Sequence, residues 1–234
     1  EASRATARMS LIHVFRDAFN YGLEILGLSD IELKEKQYEA LKSEQYEALK
    51  AVVLKNRDVL AVLPTRYGKS LIYPLLPLVL DFLRQTEEVR KSTVIVISPL
   101  NALMCDQIVK LKEGGLNVCM LKGDRVASTD ANGDEEVSVD VPVEILVNTT
   151  FDLIFAHPEV LIDNKKVLKI LKSPQFKEKV KAIVMDEAHL VINLQVFQKN
   201  LMKINNLYGC CIVFKGVKEG KNFKNLSQSN PRSN

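Results

Sequence analysis

Short apolar runs alternate with longer segments of helical periodicity along most of the chain. The runs are rich in valine, isoleucine and leucine and have the length of a β-strand. They comprise residues 59–63, 93–97, 118–121, 152–156 and 182–185, with a weaker run at 210–214. Because continuous apolar runs are typical of strands buried on both faces, the pattern predicts an α/β fold with a parallel sheet and helices on both faces.

The segments that flank these runs have the apolar spacing of amphipathic helices. Predicted helices occupy residues 10–28, 71–83, 102–112 and 160–176. We expect Pro74 and Pro77 to interrupt the second helix and Asn101 to cap the third. The Ser173-Pro174 pair is expected to break the fourth.

The two ends of the chain and one long connection have the composition of irregular structure. Residues 1–9 are expected to form a loose end, and the acidic residues 122–141 a surface loop. Residues 216–234 are rich in lysine, asparagine and serine, which predicts disorder. Residues 193–207 give a weaker prediction of a helix.

A tandem repeat precedes the first strand, since the sequence QYEALK occupies residues 37–42 and again 45–50. The offset of eight residues corresponds to about two helical turns. We interpret the repeat as a local duplication on a solvated helix, because it is too short for a solenoid.

Composition narrows the class of protein only moderately. At 234 residues and 47% hydrophobic residues, the chain is long enough for one domain with a good core. The net charge of +3 is compatible with nucleic-acid binding but does not indicate it. No apolar run predicts a membrane span, and the polar N-terminus does not predict a signal peptide. The 4 cysteines lack metal-ligand spacing, so a reducing compartment is expected.

The strongest candidate for chemistry is the Gly68-Lys69-Ser70 sequence, which follows the first strand. Backbone N–H groups at a helix N-terminus can bind phosphate, lysine can neutralise it, and serine can hold Mg²⁺. The full P-loop pattern begins with glycine, but Leu63 stands at that position. Asp186 and Glu187 follow another strand, where one carboxylate can hold Mg²⁺ and its neighbour can polarise a water.

Gln45 is a candidate for reading adenine, because its amide both donates and accepts hydrogen bonds. Its position shortly before the P-loop strand favours this role. Gln37 is a rival because of the repeat, and an exposed glutamine without a ligand is the ordinary alternative.

Taken together, these segments resemble the RecQ-type DNA helicases of superfamily 2. Residues 41–45 (LKSEQ) resemble the family's adenine-reading motif, and residues 63–73 (LPTRYGKSLIY) its motif I, in which leucine is usual before Pro-Thr. Residues 97–107 (ISPLNALMCDQ), 156–161 (AHPEVL) and 184–191 (VMDEAHLV) resemble motifs Ia, Ib and II. The resemblance covers residues 33–192. It implies a RecA-like domain there, a helical extension at 1–32 and an atypical tail at 193–234.

The resemblance also implies individual roles. Lys69 would bind phosphate, Asp186 and Ser70 would hold Mg²⁺, Glu187 would activate water and His189 would couple the nucleotide site to DNA. The implied nucleotide site comprises Lys42, Gln45, Pro64, Thr65, Arg66, Tyr67, Gly68, Lys69 and Ser70. The implied DNA-facing residues are Ser98, Asn101, Gln107, His157 and Glu159. Helix capping is an equally good explanation of Ser98 and Asn101.

Several positions depart from the family pattern. Arg66 and Pro74 stand where glycine and glutamine are usual. The family has a tryptophan-containing loop after motif II, but this chain has 0 tryptophans. The sequence after residue 192 resembles neither that loop nor the Ser-Ala-Thr motif, and contains no second motor domain or zinc-binding region.

Lysines form two further series. Lys215, Lys218, Lys221 and Lys224 predict a solvated tail or, alternatively, a nucleic-acid contact. Lys165, Lys166, Lys169 and Lys172 predict an exposed helix face.

The function implied by the resemblance is ATP-dependent 3′–5′ DNA unwinding, with this chain as the first motor domain. Such a domain would bind ATP, Mg²⁺ and single-stranded or forked DNA. We expect it to hydrolyse ATP slowly or not at all and not to separate strands alone. The alternative is a non-catalytic nucleotide- or DNA-binding fragment that acts through partners. A P-loop kinase or GTPase is a weaker alternative, since no Asn-Lys-x-Asp sequence occurs. A nuclear location and a role in DNA repair are implied by the resemblance alone.

Overall fold

A computed structural model describes residues 2–28, 35–64, 69–84, 92–121, 140–141, 145–186 and 211–217, with only the backbone described at some of these positions. The strands are β1 (Val59–Pro64), β2 (Thr93–Ile97), β3 (Val118–Leu121), β4 (Asp140–Val141), β5 (Leu153–Ala156), β6 (Val180–Met185) and β7 (Cys211–Val217). The helices are α1 (Ala2–Ile25), α2 (Glu35–Lys55), α3 (Ile72–Arg84), α4 (Asn101–Glu113), α5 (Ile145–Asn148), α6 (Pro158–Asp163), α7 (Lys165–Leu171) and α8 (Pro174–Lys179). A short 3₁₀ helix, Lys69–Leu71, precedes α3.

The strands form one sheet in the order β1-β7-β6-β2-β5-β3-β4. Each of these neighbouring pairs is parallel. The central strand β2 is paired on both sides, so that Val96 lies beside Val184 of β6 and Phe155 of β5. The predicted parallel α/β sheet is confirmed.

Alternation along the strands divides the core between the two faces of the sheet. In β2, Val94 and Val96 belong to one apolar cluster, whereas Ile95 and Ile97 belong to the other. Helices α1 to α4 contribute to the first cluster, and α6, α7 and α8 to the second. Apolar residues bury both faces of β2, which is why its sequence is continuously apolar rather than alternating.

Two helices are longer or more regular than the sequence predicts. Helix α1 begins at Ala2, so the expected loose end at residues 1–9 is wrong for residues 2–9. Alanine, arginine and methionine in this stretch all favour helix.

Helix α3 is continuous through Pro74 and Pro77. Pro74 lies in the first turn, where its missing N–H has no partner to lose.

Helix α2 contains both copies of the QYEALK repeat. The interpretation as a solvated helix is wrong for the second copy, because Gln45 and Leu49 are buried. Tyr46 packs edge-on against Phe15 and Phe19 of α1, with ring centroids 5.1 and 5.3 Å apart. The apolar side of the second copy is therefore a helix–helix contact.

Strand β7 lies between β1 and β6, although it follows them in the chain. It extends over Cys211–Val217, beyond the expected strand at 210–214 and into the segment predicted to be disordered. Lys215 and Gly216 are paired with Val62 and Leu63 of β1, so Lys215 is not part of a tail. The predicted boundary at residue 192 stays a prediction, but the sheet itself includes this later strand.

Other connections are partly as expected. The 160–176 helix is divided into α6, α7 and α8, with Asn164 and Ser173 capping α7 and α8. Lys165, Lys166, Lys169 and Lys172 are exposed, as predicted. Within the expected loop 122–141, Asp140–Val141 forms a short strand beside β3. The predictions for 193–207 and 218–234 lie outside the described residues.

None of the helices in the described ranges is long and apolar enough to cross a membrane.

Candidate functional site

The candidate site lies where the parallel strands end. Ile97 of β2 is paired with Met185 of β6 and Ala156 of β5, so the residues that follow these strands meet at one edge. The Asp186 N–H donates to the carbonyl of Ile97 at 2.8 Å, and the Ser98 N–H donates to that of Ala156 at 3.2 Å. These backbone bonds extend the sheet by one residue at the edge predicted to bind ligand.

Lys69 and Ser70 are the last two residues of the Gly68-Lys69-Ser70 sequence. They lie in the 3₁₀ helix that leads into α3, rather than in the α-helix itself. The Lys69 side chain is only 8% exposed, whereas Ser70 is exposed. A buried lysine with a neighbouring exposed hydroxyl can offer both a cation and a hydroxyl to a phosphate–metal group.

Asp186, which follows β6, is 5% exposed. Its charge acts on the phenol of Tyr73, which lies one turn after Ser70 in the chain and is fully buried. Burial raises the pKa of Tyr73 above its ordinary value, and the negative charge of Asp186 raises it further. The Tyr73 ring packs edge-on against Phe155, with centroids 5.8 Å apart.

Ser70 and Gln107 also approach the Tyr73 hydroxyl, and as hydrogen-bonding groups they oppose the rise in its pKa. The hydroxyl nevertheless has no hydrogen bond of regular geometry among the described residues. The phenol of Tyr73 thus lies near Ser70, and its pKa also responds to the charge of Asp186. Sequence reasoning missed Tyr73; its position one helical turn after Ser70 is the signal that could have identified it.

Gln107 of α4 donates from Nε2 to the Ser70 hydroxyl at 3.4 Å. The sequence predicts that Gln107 faces DNA, but the structure places its amide against the P-loop serine. Its role in DNA binding stays a prediction.

The other residues expected to face DNA are distributed along the same edge. His157 Nε2 lies 3.1 Å from the Pro99 carbonyl oxygen, and His157 Nδ1 lies 4.0 Å from Glu159 Oε2. Ser98 is buried, and its hydroxyl has no hydrogen-bond partner among the described residues. Asn101 is exposed.

The expected helix cap at Asn101 is wrong. Leu100 occupies the N-cap position in an extended conformation without a side-chain cap, and Asn101 is already the first residue of α4. Ser98 lies two residues before that cap position. Capping therefore explains neither side chain, and the DNA contact of both stays a prediction.

Gln45 is buried in α2, a helix that packs against α3 and β1. Its proposed contact with adenine stays a prediction. Only the backbone is described for Lys42 in α2 and for Pro64 at the end of β1. The predicted site residues outside the described ranges are Thr65, Arg66, Tyr67, Gly68, Glu187 and His189.

Ser70 and Asp186 fit the chemistry of a magnesium site. Both offer oxygen, the ligand atom that Mg²⁺ prefers in proteins. Among the residues that the structure describes, no three His, Cys, Asp or Glu side chains cluster as a metal cage. One carboxylate and one hydroxyl, completed by substrate phosphates, is the arrangement typical of Mg²⁺ in nucleotide sites.

Comparison with known proteins identifies a helicase family and individual helicases that resemble this chain. Residues 42–218 match the family model described as DEAD/DEAH box helicase. The chain is 33% identical over 138 residues to the ATP-dependent DNA helicase hus2/rqh1 of Schizosaccharomyces pombe, covering 59% of this chain and 9% of that protein. It is 31% identical over 140 residues to the ATP-dependent DNA helicase RecQ of Synechocystis, covering 60% and 25%.

A solved structure supports the fold. The crystal structure of the DUF1998 helicase MrfA bound to DNA and AMPPNP matches 85% of this chain and 26% of that chain, with a TM-score of 0.52 and 19% identity. At this identity the similarity shows the fold alone, which is the expected RecA-like α/β fold.

The similarity to RecQ-type helicases is therefore confirmed, although the chain spans a quarter or less of the two relatives described. The family match includes β7 and thus extends past the predicted boundary at residue 192. By the extent of that match, the chain belongs to the DEAD/DEAH box helicase family.

Proposed function

We propose that this chain is the first motor domain of a RecQ-type 3′–5′ DNA helicase and that it binds ATP with Mg²⁺ at the carboxyl edge of its sheet. One observation carries the proposal: the Asp186 N–H donates to the carbonyl of Ile97 at the end of β2, and Gln107, from the helix that follows β2, donates to the Ser70 hydroxyl at 3.4 Å. These two contacts support assigning a P-loop serine and a strand-end carboxylate to one site.

The proposed roles follow from the chemistry of each group. Lys69 neutralises phosphate charge, and Ser70 and Asp186 supply oxygen ligands for the metal. The bound Mg²⁺ would neutralise charge that develops on the phosphates. Glu187 activates the attacking water, and His189 links the site to DNA; both roles rest on the RecQ resemblance.

DNA is proposed to lie across the segments that follow β2 and β5. Ser98 and Asn101 come from the first segment, and His157 and Glu159 from the second. The support is the His157–Pro99 contact, which joins the two segments. A nuclear location and a role in DNA repair are part of the proposal only through the resemblance, and a cyanobacterial RecQ is also among the relatives.

A non-catalytic nucleotide- or DNA-binding fragment remains the second candidate. The composition favours this candidate. In the family, a tryptophan-containing loop after motif II couples DNA binding to ATP hydrolysis, but this sequence has 0 tryptophans. Both candidates require the nucleotide site, but only the motor requires turnover.

Equilibrium binding of a fluorescent ATP analogue, with and without Mg²⁺, tests the shared site. We expect Mg²⁺ to raise the affinity for the nucleotide. Asp186→Asn should make this Mg²⁺-dependent increase in affinity about tenfold smaller, because the amide carries no charge. Asp106→Asn is the matched control, since Asp106 is an exposed acidic residue on α4. Absence of binding to the unaltered chain, or an equal effect of both variants, would contradict the proposed site.

A further inference from the structure

Helix α4 begins at the predicted DNA edge and reaches the P-loop serine about two turns later. Met104 and Ile108 are fully buried against the sheet and fix the rotation of the helix. Gln107, between these two anchors in sequence, directs its amide to the Ser70 hydroxyl at 3.4 Å. The position of this amide is therefore set by the packing of α4.

The Gln107 amide restricts the rotation of the Ser70 hydroxyl. Ser70 is exposed, and a serine hydroxyl has one proton and two lone pairs. Accepting the Gln107 N–H uses one lone pair, which leaves the second for a cation and the proton for a neighbouring acceptor. A hydroxyl held in this way loses less rotamer entropy when it binds a ligand.

Tyr73 forms the apolar support beneath this arrangement. Its ring is fully buried against Phe155, while its hydroxyl lies near Ser70 and Gln107. The Ser70 hydroxyl and the Gln107 amide thus adjoin a buried aromatic side chain.

We propose that Gln107 is a positioning residue for the metal half of the nucleotide site, holding the Ser70 hydroxyl where it binds Mg²⁺ together with Asp186. This inference rests on the proposed function, because it assumes that Mg²⁺–nucleotide binds there. It assigns Gln107 to the nucleotide site, in addition to or instead of the predicted DNA contact.

The test measures the Mg²⁺ concentration that gives half of the metal-dependent gain in ADP-analogue binding. Gln107→Leu removes the hydrogen-bond donor but keeps a side chain of similar size. Gln107→Asn keeps the amide on a side chain that is shorter by one methylene. We expect both to raise this concentration about three- to tenfold, as loss of one neutral hydrogen bond predicts, with metal-free binding unchanged. Asp106→Asn should match the unaltered chain.

Two results would overturn the inference while leaving the proposed function intact. One is an unchanged Mg²⁺ dependence in both Gln107 variants while Asp186→Asn shows a large shift. The other is an equal loss of metal-free and metal-dependent binding, which would indicate a structural role alone. If the unaltered chain shows no metal-dependent binding, the proposed function fails, and the inference fails with it.

Discussion

His157 Nε2 lies 3.1 Å from the carbonyl oxygen of Pro99, and this contact ties the segment after β5 to the segment after β2. As a donor to that carbonyl, the ring can hold the two segments at a fixed separation. Ser98 and Glu159 lie in these segments, so the contact bears directly on the proposed DNA surface.

We predict that His157→Ala weakens single-stranded DNA binding about three- to tenfold, because one hydrogen bond between the two segments is lost. Fluorescence anisotropy with a labelled oligonucleotide measures the change. His13→Ala is the control, since His13 is an exposed histidine on α1. Equal DNA affinity of the two variants would show that the contact does not order a DNA surface.

Tyr73→Phe removes a buried hydroxyl but keeps the edge-on ring contact with Phe155. Because that hydroxyl lacks a regular hydrogen bond among the described residues, we expect the free energy of unfolding to stay equal or rise by up to about 1 kcal/mol. Urea unfolding without nucleotide measures it. A loss of more than about 1 kcal/mol would mean that the hydroxyl forms a strong hydrogen bond.

Tyr46→Ala tests whether α1 is integral to the fold. Tyr46 packs edge-on against Phe15 and Phe19, so its truncation should lower the free energy of unfolding by about 2–4 kcal/mol. Tyr21→Ala is the comparison, because Tyr21 is 41% exposed and contacts Phe82. A loss no greater than that of Tyr21→Ala would indicate that α1 contributes little to stability.

Asp81 gives a pH-dependent prediction. Burial raises the pKa of its carboxyl above 3.8, although the Ser92 N–H donates to it at 2.8 Å. A raised pKa in the folded state means that folding favours the protonated form, so its contribution to stability is present at low pH and is lost as pH rises through the folded-state pKa.

Asp81→Asn removes the loss of stability that accompanies ionisation of the Asp81 carboxyl. The asparagine keeps an oxygen that can accept from the Ser92 N–H. We expect the variant to be more stable than the unaltered chain at pH 7 by about 0.5 kcal/mol, because solvent screens a partly exposed group. The advantage should shrink as pH falls toward 4. Urea unfolding across this range measures it, with the exposed Asp17→Asn as control. An asparagine variant that is less stable at pH 7 would contradict this account.

The sequence predicts the main strands because local composition determines them. Residues 93–97 are continuously apolar and β-branched, and they form the central strand. The place of β7 between β1 and β6 depends on tertiary pairing, to which local periodicity does not respond. The earlier start of α1 has a local cause instead, because alanine, arginine and methionine in residues 2–9 favour helix.

The candidate site could be predicted in part. Lys69, Ser70 and Asp186 were identified because motif chemistry depends on residue type and spacing. The Gln107–Ser70 bond joins two helices whose packing the sequence does not specify. Tyr73 was overlooked because, without the position of Asp186, a tyrosine on an apolar helix resembles an ordinary core residue.

The central claim is that this chain is an ATP-driven motor domain, and steady-state ATP turnover tests it most directly. Turnover should be measured with and without single-stranded DNA for the unaltered chain, Lys69→Ala and the control Lys110→Ala, an exposed lysine on α4. We predict slow, Mg²⁺-dependent turnover that Lys69→Ala reduces by at least about tenfold, because a phosphate-binding cation is lost. Absence of turnover in the unaltered chain, with nucleotide binding retained, would contradict the motor assignment and support the non-catalytic alternative.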